Sequence, residues 1–152
     1  MAKKFTYGRW LVGITMMVAG LFCAGCAGDP DQAALEATIA AAQAAAEEGE
    51  MGEVISIVAE DFVGQGGSYD RLLLRRMLLA IRLRHSDVSV SRVSTEYEVD
   101  PAFATVKMKL LLTGGTGVLP ETGRLMSLET RWRVEDGQWR LTTAQWDGIG
   151  GL

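Results

Sequence analysis

The sequence predicts an α+β domain with three N-terminal helices followed by an antiparallel sheet of about four or more strands. Up to about residue 84, apolar residues recur at helical spacing. From Asp87 onward they alternate with polar residues, and an Asp-Gly pair interrupts the last alternating run. In an α+β fold, helices and strands occupy separate parts of the chain rather than alternating, and this sequence has that order.

The clearest strand pattern is the stretch 126–146. Apolar side chains alternate with polar ones on both sides of Asp136-Gly137. This dipeptide between alternating runs is typical of a two-residue type I′ hairpin. The register then places Val134 opposite Trp139 and Trp132 opposite Leu141, with all four on one face of the sheet.

The first helix is predicted from Asp29-Pro30, a cap followed by a proline at the first helical position, to Glu48, with Gly49 ending it. A flexible alanine-rich spacer is the alternative. The helical interpretation gives one narrow apolar stripe, formed by Leu35, Ile39, Ala42 and Ala46.

A second helix is predicted over Gly52–Val63, before the break at 64–67, and a third from a Ser68 or Asp70 cap to about Arg84. Apolar residues occupy most of the circumference of the third helix, so we expect burial on more than one side. Helical geometry places three of its arginines on one solvated face and a fourth arginine toward the interior. The solvated group is Arg71, Arg75 and Arg82, and the inward residue is Arg76.

The strands that follow the helices contain one irregularity. Val88 and Val90 alternate in one parity and Val93 to Val99 in the other, which predicts a bulge near Ser91–Arg92. A second strand carries apolar residues at alternate positions from Val106 to Leu112, and a glycine-rich loop is expected over 113–123.

Residues 1–25 have the layout of a secretory signal, because a basic start precedes the uncharged run 10–24. The run ends in Phe22-Cys23-Ala24-Gly25-Cys26, which resembles the bacterial lipoprotein signal, although leucine is usual where Cys23 stands. The resemblance implies that Cys26 is lipidated, that 26–30 form a short tether, and that Ala27 directs the protein to the outer membrane facing the periplasm. Ordinary cleavage after Ala27 is the alternative. The C-x-x-C spacing lies at a signal boundary rather than in a βαβ unit, so a redox motif is not expected.

Removal of the leader leaves 12 basic against 19 acidic residues, a net charge of −7. An acidic chain does not favour nucleic acid, which requires clustered basic residues. This balance also suggests no polybasic patch for anionic lipid.

The order of elements resembles that of the nuclear-transport-factor-2-like, or SnoaL-like, superfamily over about residues 31–146, with a flexible tail over 147–152. Two motifs carry the resemblance: Ala59-Glu60-Asp61-Phe62-Val63 at the expected end of the second helix, and Trp132 to Leu141 around the hairpin. It implies a cone, in which helices pack into a strongly bent sheet around an apolar cavity.

Enzymes of that superfamily hold a carboxylate base in the cavity. The resemblance puts such a base near 65–68, where no acid stands, and leaves Asp61 as a weak candidate. A single histidine, His85, and no thiol in the mature chain give no basis for a metal site, and the glycines at 64–67 lack the lysine of a phosphate loop. No cofactor is expected.

Three hypotheses remain from the sequence. The first is a non-enzymatic lipoprotein whose cavity binds a small apolar or amphipathic ligand, or which binds a protein partner. The second is an isomerase- or cyclase-like enzyme, and the third is a homodimer formed through the outer sheet face, where Arg131, Arg133 and Arg140 alternate with Glu129. Core packing is the alternative role for Trp132, one of the candidate ligand-binding residues Arg76, Tyr97, Trp132 and Trp146.

Overall fold

The computed structural model describes residues 30–85, 87–115 and 122–148; Cys26, the segments predicted to form the signal peptide and the tether, and residues 149–152 lie outside them. The described chain forms three α-helices and five strands. In chain order they are α1 (Pro30–Glu48), α2 (Met51–Ser56), β1 (Val58–Gly64), α3 (Arg71–Arg84), β2 (Asp87–Val99), β3 (Phe103–Gly115), β4 (Thr122–Glu135) and β5 (Gln138–Asp147). The sheet order is β1-β5-β4-β3-β2, and the α+β prediction is confirmed.

The predicted helix Gly52–Val63 is wrong in its second half. The helix α2 ends at Ser56, and 58–64 form β1, which pairs in parallel with β5. Val58 and Phe62 are four residues apart and both buried, a spacing that a helix also satisfies. In an extended strand, residues four apart also lie on one face, so this spacing does not distinguish a helix from the strand β1.

The hairpin prediction is confirmed. Asp136 and Gly137 have φ values of 50° and 75°, as a type I′ turn requires, and Val134 pairs with Trp139. The bulge in β2 is also confirmed, because the β2–β3 register shifts between Arg92 and Ser94.

The strands β3 and β4 extend further than the sequence predicts. Thr113 pairs with Gly123 and Gly114 with Thr122, so the expected loop over 113–123 is shorter; residues 116–121 lie outside the described chain. Asp147, expected in the tail, pairs with Ser127 as the last residue of β5.

Of the two long helices, α1 agrees with the prediction and α3 does not. The helix α1 has the predicted bounds and buries Leu35, Ile39 and Ala45. The predicted burial of α3 on more than one side is wrong, because Leu74 is its only buried residue. Arg76, expected to point inward, is exposed.

The core consists of two apolar clusters that meet at Ile57, Leu128, Leu141 and Trp146. All residues of both clusters lie between Leu35 and Trp146. A chain that begins at Asp29 therefore retains every described element and both core clusters, so we expect it to fold by itself.

Candidate functional site: an apolar cavity between helices and sheet

A cavity of about 250 Å³ separates the helices from the inner face of the sheet. The helical and β1 side of the wall is formed by Ile39, Ala42, Gln43, Ala46, Val54, Ile57, Val58, Leu74, Met77 and Leu78. The sheet side is formed by Val90, Arg92, Met108, Leu110, Met126, Leu128, Thr130, Trp132, Leu141, Ala144 and Trp146. The small side chains of α1 leave room where larger residues would fill the space.

Two of the three polar lining residues hold the cavity wall together. Thr130 is buried; its hydroxyl donates to the Val106 carbonyl at 3.2 Å and accepts from Trp132 Nε1 at 2.9 Å. Gln43 Nε2 donates to the Val90 carbonyl at 2.6 Å and so joins α1 to β2. These bonds satisfy polar groups of the wall, and the space between them remains apolar.

The third polar lining residue, Arg92, stands at the mouth of the cavity. It pairs with the inward-facing Leu110 just before the bulge in β2, yet its side chain is exposed. Its guanidinium lies within hydrogen-bonding reach of the Tyr97 hydroxyl. Burial raises the pKa of Tyr97, and the Glu36 carboxylate adds to the rise while Arg92 opposes it. Arg92 thus borders the apolar space, and its guanidinium lies beside the Tyr97 hydroxyl.

Sequence reasoning missed Arg92, although the pattern contained a signal for it. Val88 and Val90 face inward, so the alternation of side chains along the strand places Arg92 on the inner face as well. The bulge that follows shifts the alternation by one residue and returns Thr95 and Tyr97 to that face. Bulges near binding sites commonly redirect a side chain in this way.

The structure separates the four candidate ligand-binding residues. Trp132 and Trp146 line the cavity, and Trp132 is also a core residue with 4 % exposure. Trp146 packs its ring edge-on against Tyr69 at a centroid distance of 5.2 Å. Arg76 and Tyr97 are not among the lining residues. Arg76 is exposed on α3, whereas Tyr97 packs against the core cluster and lies within hydrogen-bonding reach of Arg92.

The structure places Asp61, the weak candidate for a catalytic base, outside the cavity. It is exposed on β1, where both its oxygens accept from Arg133, at 3.1 and 3.2 Å. The hydrogen bond from Arg133 lowers the pKa of Asp61, whereas a cavity base would need burial and a raised pKa. Glu96 and Glu98 are also exposed, on the face opposite Tyr97.

Within the described ranges, no aspartate, glutamate or histidine lines the cavity. The same ranges hold no group of three or more residues suited to binding a metal ion. They also include no helix long and apolar enough to cross a bilayer.

The outer face of the sheet is polar and carries mixed charges. A shallow groove of about 330 Å³ runs along it between Glu96, Lys107, Lys109 and Glu129. Arg133, one of the arginines expected to mediate pairing, is held within the chain by Asp61 and Glu135, and Arg140 contacts the Ser56 carbonyl. Arg131 alone of the three remains exposed.

No protein-family model matches the chain, and a search of curated proteins finds no similar sequence. Solved structures do match. A protein from Streptomyces avermitilis, proposed to be a dehydratase of the nuclear-transport-factor-2-like family, superposes with a TM-score of 0.67 at 13 % identity over 80 % of this chain and 98 % of its own. A proposed scytalone dehydratase from Novosphingobium aromaticivorans gives 0.65 at 16 % identity over 78 % and 83 %.

A protein of Bdellovibrio bacteriovorus is similar with a TM-score of 0.66 at 9 % identity, over 76 % of this chain but only 40 % of its own length. At such identities the likeness concerns the fold. Together with the curved sheet, the helices and the cavity between them, it defines the class: the chain has the nuclear-transport-factor-2-like fold, as the sequence predicts.

Proposed function

We propose that this chain is an exported, lipid-anchored, non-enzymatic domain that binds a small amphipathic molecule in the cavity, with the polar end of the ligand at Arg92. The observation that supports this most directly is the composition of the wall, in which apolar side chains surround the space and one arginine stands at its mouth. A ligand with an apolar body and a carboxylate or similar acceptor at one end matches both features.

The cavity volume limits the ligand to a small one. A dry cavity of about 150 Å³ accepts benzene, and drug-sized ligands occupy about 300–1,000 Å³. At 250 Å³ this cavity suits one ring system or a medium-length chain. Burial of about eight methylene groups, at about 0.8 kcal/mol each, corresponds to dissociation constants of tens of micromolar or weaker.

The test is a calorimetric titration of the chain beginning at Asp29 with octanoate and with 1-octanol. We expect both to bind, because both fit the apolar space. Ala42→Phe should abolish binding, since Ala42 lines the cavity, whereas Ala41→Phe on the exposed side of α1 should leave it unchanged. Circular dichroism checks that both variants fold, and Ala46→Leu provides a smaller filling substitution.

The role of Arg92 is tested by comparing a charged with an uncharged ligand. Arg92→Gln should weaken octanoate about five- to tenfold and leave 1-octanol unchanged, because only the carboxylate gains a charge-assisted hydrogen bond. If Ala42→Phe bound octanoate and 1-octanol as tightly as wild type does, the cavity would not be the binding site. Equal loss of both ligands in Arg92→Gln would contradict a head-group role.

The lipid anchor is proposed from the leader sequence alone, from Phe22 to Cys26. Intact mass measurement of the full chain expressed in a bacterium should give a mature form that begins at a lipid-modified Cys26, and Cys26→Ser should remove the added mass. A wild-type N-terminus at Gly28 without lipid would instead support ordinary cleavage after Ala27.

The enzymatic alternative gains no support from the described residues. The structural neighbours with proposed dehydratase activity share the fold at 13–16 % identity, which does not extend to site residues. An isomerase- or cyclase-like reaction needs a group that moves a proton, and the described cavity wall offers no carboxylate or imidazole for it.

A further inference from the structure

The outward face of α3 carries an apolar ridge. Leu72, Leu79 and Leu83 are 53 %, 43 % and 88 % exposed, and their spacing of seven and four residues places them along one side of the helix. The opposite side, with Leu74, Met77 and Leu78, lines the cavity. An exposed leucine row of this kind indicates a binding surface more often than a scattered apolar residue does.

Basic residues accompany this ridge. Arg75, Arg76 and Arg84 are exposed and Arg82 is half-buried, while the whole of Arg71–Arg84 contains no acidic residue. In a chain with a formal net charge of −4, this helix is therefore a local basic surface. The expectation that the chain lacks a polybasic patch came from a charge count, which averages over the surface and misses such clustering.

We propose that the outward face of α3 docks on an anionic lipid surface. Leucines on such a helix enter the boundary between head groups and acyl chains, and the arginines bind lipid phosphates in a geometry that suits the guanidinium group. A helix with several arginines beside an apolar stripe is the usual composition of an element that lies on an anionic bilayer.

Charge favours lipid over a second copy of the chain. A two-fold dimer through this face would bring the arginines of one copy against the same arginines of the other, and like charges repel. An anionic surface instead complements both the arginines and the leucines.

The length of the tether is compatible with this docking if the proposed lipid anchor is present. Four peptide units separate Cys26 from Pro30, and an extended chain covers at most about 3.6 Å per residue. A lipid on Cys26 would keep the start of α1 within about 15 Å of the bilayer. Docking of α3 would then place one wall of the cavity against the membrane.

The test measures sedimentation of the unlipidated chain beginning at Asp29 with vesicles of phosphatidylcholine, with or without 30 mol % phosphatidylglycerol. We expect partition onto the anionic vesicles only, and a decrease as salt is raised. Two double variants, Leu79→Ser with Leu83→Ser and Arg75→Glu with Arg76→Glu, should each reduce the partition at least tenfold. Leu125→Ser and Arg131→Glu are the matched controls, because both residues are exposed on β4, away from α3.

Absence of wild-type binding to anionic vesicles, or equal binding by the α3 variants and the controls, would overturn the proposal. If the Leu79/Leu83 variant instead lowers the oligomeric mass in sedimentation velocity, the face binds a second copy and lipid docking is wrong. Because the chain used carries no lipid, vesicle binding supports α3 docking even if Cys26 proves unmodified, so the two proposals fail separately.

Discussion

The helices α1 and α3 cover the same cavity with opposite chemistry. Nearly half of the residues of α1 are alanine, and the helix carries acidic residues at its C-terminal end, yet it buries Leu35 completely and Ile39 nearly so. The helix α3 is rich in leucine and arginine and buries only Leu74. Burial therefore follows what each helix faces: α1 packs against the core cluster with Val106 and Trp132, while α3 lies over the edge strand β1.

The two helices are also attached differently. On the inner side of α1, Leu35 and Ile39 pack into the core, and Gln43 bonds β2. The helix α3 relies more on polar contacts at its start. Asp70 accepts from the Leu73 amide at 2.7 Å, and Arg71 donates to the carbonyls of Val58 and Ile55 at 3.0 and 3.3 Å. Arg71 also pairs with Glu60 at 3.2 Å.

The largest difference in the free energy of unfolding is expected between two leucine-to-alanine substitutions, one in each helix. Leu35→Ala should lower the free energy of unfolding by about 2–5 kcal/mol, because it removes a completely buried side chain and leaves a cavity. Leu83→Ala should change it by less than about 0.5 kcal/mol, since Leu83 is 88 % exposed. Urea denaturation of both variants checks the pair. Similar losses for the two would mean that Leu83 is buried in solution, by a second copy for instance.

The sequence predicted α1 better than α3 because the stripe on α1 is narrow. A narrow stripe on a helix has one possible buried face, and Leu35 and Ile39 lie on it. A helix that is apolar nearly all round could be a central core helix or a surface helix with a binding face, and periodicity does not distinguish them. The surrounding strands decide this, and only the three-dimensional arrangement gives their positions.

The sequence predicted part of the candidate site, as it did for the helices. Trp132 was placed correctly because the hairpin turn fixes its register, and the bulge in β2 was inferred from parity. Arg76 was assigned inward because helical geometry gives angles between side chains but not the direction of the core. Residues 58–63 were assigned to a helix because their pairing partner, β5, follows more than 70 residues later.

A smaller loss of stability is expected when the polar contact at the start of α3 is removed. Asp70→Ala should cost about 1 kcal/mol, because it removes the acceptor that caps the helix. Ser68→Ala is the control, as Ser68 was the other candidate cap and forms no such bond to the start of α3. Amide hydrogen exchange should show faster opening of 71–84 in Asp70→Ala, with α1 unchanged. Equal acceleration in both helices would show that they open together and would remove the distinction between them.

The smallest effect concerns pH and the strand next to α3. The Arg133 guanidinium lowers the pKa of Asp61 below its usual value of 3.8, so the folded state favours the ionised carboxylate. The resulting stabilisation is present above pH 3.8 and disappears as the pH falls through the lower folded-state pKa. Asp61→Asn should therefore be slightly less stable than wild type near neutrality, and the gap should close in acid.

Thermal unfolding of wild type and Asp61→Asn between pH 7 and pH 2.5 measures this gap. Glu96→Gln is a suitable control, because Glu96 is an exposed carboxylate on β2 at the far edge of the sheet. A gap that persists undiminished at the lowest pH would mean that Asp61 acts through something other than its charge. A gap that closes for Asp61→Asn alone would show that a charge-dependent contact joins β1 to β4, in contrast to the apolar packing that holds the inner side of α1.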